Sequence, residues 1–429
     1  MGKIQILEQS VADLIAAGEV VERPASVVKE LLENAIDAKA SRVTVEIRGG
    51  GISFIRVSDD GEGMEKDEVE VAFLRHATSK IRSKDDLAAI RTLGFRGEAL
   101  AAIAAVSKID VMTATKNSPI GHHAHLEGGK LLSVEEAGCP KGTTVLVRDV
   151  YYNTPARMKF MKKDSTEAGY IQEITERIAL SHPDVCVQFI RDGSAIFTTL
   201  GNGELLGAVY AIFGGEIADS LVPCTYTYEG IAVNGLVGRP YTARHNRTWQ
   251  CFFLNGRFMK SKTFFAAMDE AYRDAVMTKR YPSVFLHIEI DPEMVDINVH
   301  PAKLEAKFGK EKLVYDALYF AVMTALGIDV QRPLADKVVK PLWPVKADEV
   351  PAPESAMDEG QQQYFGINLG VGGNGGQPVI LGADEDAMPL KSSAFFTPAD
   401  AWGAMQMAAQ GPVEKPITPE ERERAAAAF

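Results

Sequence analysis

Lys29-Glu30-Leu31-Leu32-Glu33-Asn34-Ala35-Ile36-Asp37-Ala38 is the stretch on which the reading of this fold turns. It lies in a segment, Pro24 to Ala38, that opens on proline, a residue well suited to a first helical turn. Val28, Leu31, Leu32, Ala35 and Ile36 follow at helical spacing. Glu30 and Asn34 are four residues apart and therefore stack on one helix face. A carboxylate there can orient a water for attack. An amide oxygen one turn on can hold Mg²⁺, which keeps several waters and takes few protein ligands. The same letters also describe an amphipathic surface helix with solvated charges, so this stretch needs others beside it before it means a site.

Immediately downstream, Val43 to Ile47 and Ile52 to Val57 flank Gly49-Gly50-Gly51, a strand–turn–strand pattern. Ser58-Asp59-Asp60-Gly61-Glu62-Gly63-Met64 follows that second strand. Glycines so spaced let backbone approach a flat ligand, and an aspartate at a strand end can accept from an exocyclic amine; an ordinary DDG turn has the same letters. Glu65 to His76 reads as helix, broken by Thr78-Ser79-Lys80. Leu93 to Gly97 is a loop, and Glu98 to Val106 a helix of small residues, so free backbone N–H groups face whatever sits before it, an arrangement suited to phosphate. No GxxxxGK[ST] occurs, which excludes a P-loop nucleotidase. Further strands are expected at Lys108 to Thr113, His122 to Leu126, Leu131 to Val134 and Thr143 to Asp149. A second block, from about Gly207 to Gly327, has strands at Cys224 to Val237, Gln250 to Leu254 and Ser283 to Ile290, with helices at Thr263 to Val276 and Lys312 to Leu326.

At 429 residues the chain is too long for one core and implies two or three domains. Hydrophobic residues at 46% and charged residues at 24% exclude a wholly disordered or fibrous protein. No run reaches the roughly 18 apolar residues of a membrane helix, and the N-terminus lacks a signal-peptide core, so a cytosolic protein is the default. Cys139, Cys186, Cys224 and Cys251 lie far apart, which speaks against a zinc cage or disulfide framework. His122, His123 and His125 suggest a metal cluster, yet a strand points His122 away from His123. The net charge of −12 is uneven: Asp336 to Phe429 holds 14 acidic and 7 basic side chains, leaving −5 for the remainder. That tail also has 10 of the 21 prolines and reads as a flexible linker with no domain attached; its ERERAAAAF ending reads as a helix beginning, which leaves two readings open, a complete chain and a fragment of something longer.

Taken together, helix-borne ExxxN, DxGxG, GFRGEAL and a later GT (Gly142-Thr143) resemble the nucleotide site shared by DNA gyrase B, heat-shock chaperones, histidine kinases and MutL. The words between narrow the choice. IAAGEVVERPASVVKELLENAIDA (Ile15 to Ala38), RHATSKI (Arg75 to Ile81), LGFRGEALAAI (Leu93 to Ile103), YYNTPARMKF (Tyr151 to Phe160) and VDINVHPAKLEAKF (Val295 to Phe308) resemble the MutL family of mismatch-repair ATPases, over about residues 4 to 330.

That resemblance implies an α+β chain: a Bergerat-type (GHKL) α/β sandwich at 1–205 with a dimerisation arm at 4–20, a smaller α+β transducer of left-handed βαβ type at 206–332, and a disordered linker at 333–429. It implies ATP and Mg²⁺ as cofactors, with Glu30 as general base and Asn34 as the Mg²⁺ ligand. Asp59 would read the adenine amine, with Gly63 and Thr143 beside the base. Thr78, Ser79 and Lys80 fall in a lid over the phosphates, while Gly94, Arg96, Gly97, Glu98 and Leu100 receive them. Lys303 would reach the γ-phosphate from the second domain. Arg157-Met-Lys159-Phe-Met-Lys162-Lys163, Arg244-His-Asn-Arg247 and Arg257-Phe-Met-Lys260-Ser-Lys262 are basic clusters that could meet DNA phosphates, Arg157 and Lys159 among them; the resemblance favours the last cluster, with Lys260 and Lys262 where DNA contact is expected. The implied partners are DNA, MutS, a downstream endonuclease and helicase, and a second copy on ATP binding, in the cytoplasm at the nucleoid. A non-hydrolysing scaffold and a topoisomerase-type subunit are the alternatives. No DQHA-type nuclease motif is found.

Overall fold

A computed structural model of the chain describes residues 20–81, 92–94, 97–296 and 306–327, with Glu8, Leu14, Ile15, Ala17 and Gly18. The expected linker beyond 333, most of the arm at 4–20, Arg96 and Lys303 lie outside the described residues.

Helix α1 (Pro24–Asp37) begins at its proline and buries Val27, Val28, Leu31, Leu32 and Ala35, leaving Glu30, Asn34 and Asp37 only partly covered on its other side. It ends where Lys39 turns into the left-handed region, at φ 58°. Strands β1 (Arg42–Arg48) and β2 (Phe54–Asp59) pair antiparallel across the three-glycine turn. Gly50 must be glycine there: its φ is 65°, and a Cβ would sit 2.8 Å from the backbone of Asp164. Helices α2 (Lys66–Ala72) and α3 (Ala99–Ala105) follow, and then strands β3 (Lys108–Ala114), β4 (Gly121–Glu127), β5 (Lys130–Ala137) and β6 (Gly142–Arg148). The first helix is shorter than the expected Glu65 to His76. It starts with a capping box between Glu65 and Glu68, and its chain leaves the helix at Phe73, ahead of His76 in the left-handed region.

The segment from 150 to 206, in which the sequence pattern marked no elements, holds α4 (Pro155–Met158), α5 (Asp164–Ser181), β7 (Cys186–Arg191), β8 (Ser194–Thr198) and the start of α6 (Leu205–Phe213). These complete one eight-stranded sheet in the order β5-β4-β3-β6-β2-β1-β7-β8, with β7 parallel to β1 and Val43 opposite Val187. Its core joins β-strand residues such as Val45, Ile55, Ile109 and Val147 to α1, α3 and α5 on one face.

After α7 (Gly215–Asp219), the second block forms a five-stranded sheet of β9 (Leu221–Tyr228), β10 (Ile231–Gly238), β11 (Gln250–Leu254), β12 (Arg257–Met259) and β13 (Val284–Glu289). Its order is β12-β11-β13-β10-β9, with β11 parallel to β13. Helix α8 (Lys262–Ala271) lies between those parallel strands in the sequence, and β14 (Val295–Asp296), β15 (Lys307–Phe308) and α9 (Glu311–Ala325) complete the described part. The stretch Cys224 to Val237, expected as one strand, is a hairpin. Glu229 and Gly230 both take positive φ, 48° and 80°, and reverse the chain in two residues. Among the described residues no helix is long and apolar enough to cross a membrane.

Candidate functional site

The site begins at the exposed edge of α1. Lys29 bridges Glu30 and Glu33 at 3.0 and 2.8 Å; its burial works against its charge, but the two carboxylates hold the ammonium above the ordinary lysine range. One turn on, Asn34 Oδ1 accepts from Lys80 Nζ at 2.8 Å. The same ammonium reaches Asp37 Oδ2 at 2.5 Å, where the aspartate side chain is only 8% exposed. A cation therefore already sits against the amide oxygen and carboxylate of α1. Both are hard oxygen donors, of the kind Mg²⁺ takes.

Asp37 does more than face Lys80. Its Oδ1 accepts from Leu93 N at 2.9 Å and its Oδ2 from Gly94 N at 3.0 Å, so this carboxylate holds the N–H side of the loop leading to α3. Gly97 packs onto the segment that follows α2: at φ 62°, any Cβ would lie 2.6 Å from Ala77 O. Across that contact His76 Nδ1 stands 3.6 Å from Glu98 Oε1, at the N-cap of α3. Lys80 N donates to Thr78 Oγ1 at 3.2 Å, while Ser79 is exposed and Leu100 packs partly buried against the core.

At the other end lies the end of β2. Asp59 Oδ1 accepts from Gly61 N at 2.9 Å and Thr143 N at 3.3 Å. Burial pushes this carboxyl up to about 6, with Asp60 adding to it, against the two N–H donors that favour the ion. Thr143 Oγ1 lies 3.1 Å from Thr113 Oγ1, which accepts from Met64 N at 2.9 Å. Gly63 has φ 73°, and a Cβ there would stand 2.2 Å from Ala114 O, so only glycine lets this turn approach β3. Asp59, Gly63 and Thr143 are thus brought together, as are Asn34, Lys80, Gly94 and Gly97.

Two residues the sequence reading passed over complete the arrangement. Asp37 was legible in principle, because 30, 34 and 37 share one helix face. Arg257 was read only as part of a basic cluster on the surface. Its guanidinium instead turns inward, donating to Leu93 O at 3.0 Å and to Thr92 O. Burial works against its charge, and Glu33, Asp37 and Glu30, in that order, support it.

The basic positions differ from one another. Arg157 Nη1 donates to Val21 O at 2.8 Å and so faces the chain, whereas Lys159 is exposed. Arg244 lies 3.2 Å over the Trp249 ring and Arg247 pairs with Asp269 at 2.7 Å. Lys260 and Lys262 are exposed, and Lys262 lines a cavity of about 380 Å³ with Thr263, Ala266, Glu311, Lys312 and Tyr315. His123 and His125 both approach Asp110 Oδ1, at 3.1 and 2.9 Å, and no cluster of three or more His, Cys, Asp or Glu side chains placed to hold a metal ion occurs among the described residues.

Comparison with known proteins places this geometry. Residues 22–141 match the family model described as histidine kinase-, DNA gyrase B-, and HSP90-like ATPase, and residues 209–327 that described as DNA mismatch repair protein, C-terminal domain. DNA mismatch repair protein MutL of Caldanaerobacter subterraneus subsp. tengcongensis is 47% identical over 326 residues, 76% of this chain and 55% of its own length. The chain belongs to the MutL family. A second MutL protein, from Desulforudis audaxviator, is 43% identical over 89% of this chain and 65% of itself. The chain therefore spans between about half and two thirds of the relatives it matches. Among solved structures, the Aquifex aeolicus MutL ATPase domain complexed with ADP is similar at TM-score 0.51 and 26% identity, covering 70% of this chain and 98% of that one. The N-terminal domain of a DNA repair protein gives TM-score 0.62 at 24% identity, over 74% and 98%, and speaks to the fold. The fold is that of the GHKL ATPases.

Proposed function

We propose that the chain is a Mg²⁺-dependent mismatch-repair ATPase. The observation that carries the reading is the pairing of Asp59, half-buried at a strand end and held by two backbone N–H groups, with the Glu30–Asn34–Asp37 face onto which both flanking loops converge. Asp59 accepts the adenine amine, and Gly63 and Thr143 shape the floor under the base. Thr78, Ser79 and Lys80 close over the phosphates. Gly94, Arg96, Gly97, Glu98 and Leu100 supply the loop and helix start that receive them, with N–H groups pointed at the negative charge.

Glu30 orients and deprotonates the attacking water. Its bond to Lys29 keeps the carboxylate turned along α1 until substrate arrives. Asn34 would hold Mg²⁺ through the amide oxygen that now accepts from Lys80, and the ion would neutralise charge on the phosphate oxygens. Lys303 comes from the second domain to the γ-phosphate, so that domain placement follows nucleotide state. On this reading residues 1–205 form the nucleotide domain and 206–332 the transducer. Two copies close as a clamp on DNA upon ATP binding, and slow hydrolysis reopens it. The clamp relays mismatch recognition by MutS to incision and unwinding factors. Lys260 and Lys262, exposed on the second domain, contact the DNA backbone without reading bases, with Lys159 as an outlying contact.

The test is steady-state phosphate release. Glu30→Ala is expected to lower turnover by roughly 10² to 10⁴ while nucleotide affinity holds. Unchanged turnover would remove Glu30 from the chemistry. Wild-type release no faster than that variant would leave a scaffold that uses ATP as a structural ligand.

A further inference from the structure

We propose that Arg257 is a cross-domain positioning residue: it fastens the loop that receives the nucleotide phosphates to the second sheet, so that nucleotide occupancy and the placement of that sheet are set together. The inference rests on the ATP-site reading and adds a residue to it.

The short segment Thr92-Leu93-Gly94 is held along both of its polar rails. Its N–H groups, from Leu93 and Gly94, donate to the Asp37 carboxylate at 2.9 and 3.0 Å. Its carbonyls, from Thr92 and Leu93, accept from the two Nη atoms of Arg257, the Leu93 bond measuring 3.0 Å. One clamp belongs to α1 of the nucleotide part and the other to β12 of the second sheet. A planar guanidinium can span two successive carbonyls, which a single ammonium cannot do with the same geometry.

Arg257 is also aimed from a stiff mount. It follows the two-residue turn Asn255-Gly256, with φ 46° and 79°. Asn255 is bound three ways to the end of β13: its N donates to Ile288 O at 2.9 Å, its Nδ2 to Ile290 O at 2.9 Å, and its Oδ1 accepts from Ile290 N at 3.0 Å. The next residue, Phe258, lies 4.1 Å beneath the Arg177 guanidinium of α5. Movement of β13 is therefore transmitted to Arg257 with little slack. Conversely, a phosphate that draws Gly94 and its neighbours toward itself pulls on the same hairpin. Another tie, His287 Nε2 to Leu180 O at 3.1 Å, ends on α5.

The experiment uses the full 429-residue chain. It measures affinity for a fluorescent non-hydrolysable ATP analogue with Mg²⁺, turnover, and amide hydrogen exchange in residues 250–259 with and without the analogue. For Arg257→Ala, affinity should fall on the order of tenfold or more, as expected for losing charge-assisted bonds. The fall should appear mainly in KM. Nucleotide-dependent protection of 250–259, present in the wild type, should be lost. Arg257→Lys, which keeps the charge but loses the fork, should be intermediate in both. A variant with a lower unfolding midpoint but wild-type affinity and protection would show a structural latch and overturn the proposal. Should Arg257→Ala fail to fold, Arg257→Lys with wild-type affinity and undiminished protection overturns it equally. Wild-type chain that binds no analogue would sink the ATP reading and this inference together, whereas wild-type binding with an indifferent Arg257 sinks this inference alone.

Discussion

The eight-stranded sheet is covered by helices on one face and wears charge on the other, whereas the five-stranded sheet is covered on both. On the first, Glu46 takes bonds from Arg48 and Arg56, and Asp110 from Arg148, His123 and His125, all on the side away from the core. On the second, Phe252 and Leu254 pack toward α8 and α9, while Cys251, Phe253 and Phe285 pack toward α6 and the end of α5. The difference assigns labour. A sheet buried on both faces is a stiff body whose motion stays whole, which suits the mount of Arg257. A sheet buried on one face leaves its helix side free to carry loops, and the residues proposed to hold nucleotide sit on those loops and on α1.

The largest effect should come from breaking the doubly buried sheet. Phe285 is fully buried and stacks on Phe213 with ring centroids 5.6 Å apart. Phe285→Ala should cost about 3–5 kcal/mol, the transfer of the ring plus the cavity left behind, read as a lowered denaturant midpoint. A loss below about 1 kcal/mol would mean the second face is loosely packed, and the contrast between the two sheets would fail.

A smaller effect sharpens the nucleotide side. Burial raises the Asp59 carboxyl from its ordinary 3.8 to about 6. Between those two values the folded chain keeps a proton that the unfolded chain has released. This group's contribution to stability is therefore full at low pH, declines as pH rises through the window, and is flat above about 6. Adenine binding has the opposite sense, because an amine donor needs the ionised acceptor. Affinity for the ATP analogue should fall as pH drops below about 6, approaching tenfold per unit, about 1.4 kcal/mol. Asp59→Asn should bind weakly at every pH with no such slope. A wild-type slope that persists in Asp59→Asn would place the titrating group elsewhere.

The same contrast explains what could be read from the letters. Runs such as Gln250 to Leu254, wholly apolar but for the glutamine, gave the β11 limits to the residue, since a fully buried strand advertises itself by an unbroken apolar and aromatic run. β7 was harder. Its partner across the parallel pairing, β1, lies about 140 residues back, and no local turn announces such a pairing. Asp59, Gly63 and Thr143 were grouped by resemblance; of the three, only the glycine carries a local reason, since backbone meets backbone at Gly63. Arg257 was not, since the Asn255-Gly256 turn shows that a hairpin reverses there but not that its first strand residue points across to another sheet's loop. Lys80 was placed in a lid by resemblance; that its ammonium would rest on Asn34 and Asp37 depends on how two distant segments meet.

The smallest effect probes the charged face of the first sheet. Glu46 is 8% exposed in its side chain and is held by Arg56 at 2.5 Å and Arg48 at 2.9 Å, while those guanidinium groups are themselves 42% and 60% exposed. Partly solvated cations gain little from one more ion pair, and Arg48 stays with the carboxylate if Arg56 leaves. Arg56→Ala should therefore cost no more than about 1 kcal/mol. The deficit should shrink in about 1 M salt, where the screening length falls to roughly 3 Å. Phe285→Ala, a packing defect, should show no such relief, so the pair measured at two salt concentrations separates the two kinds of face. A cost for Arg56→Ala near that of Phe285→Ala, unmoved by salt, would show that the charged face is packed as tightly as a core, and that this sheet too is closed on both sides.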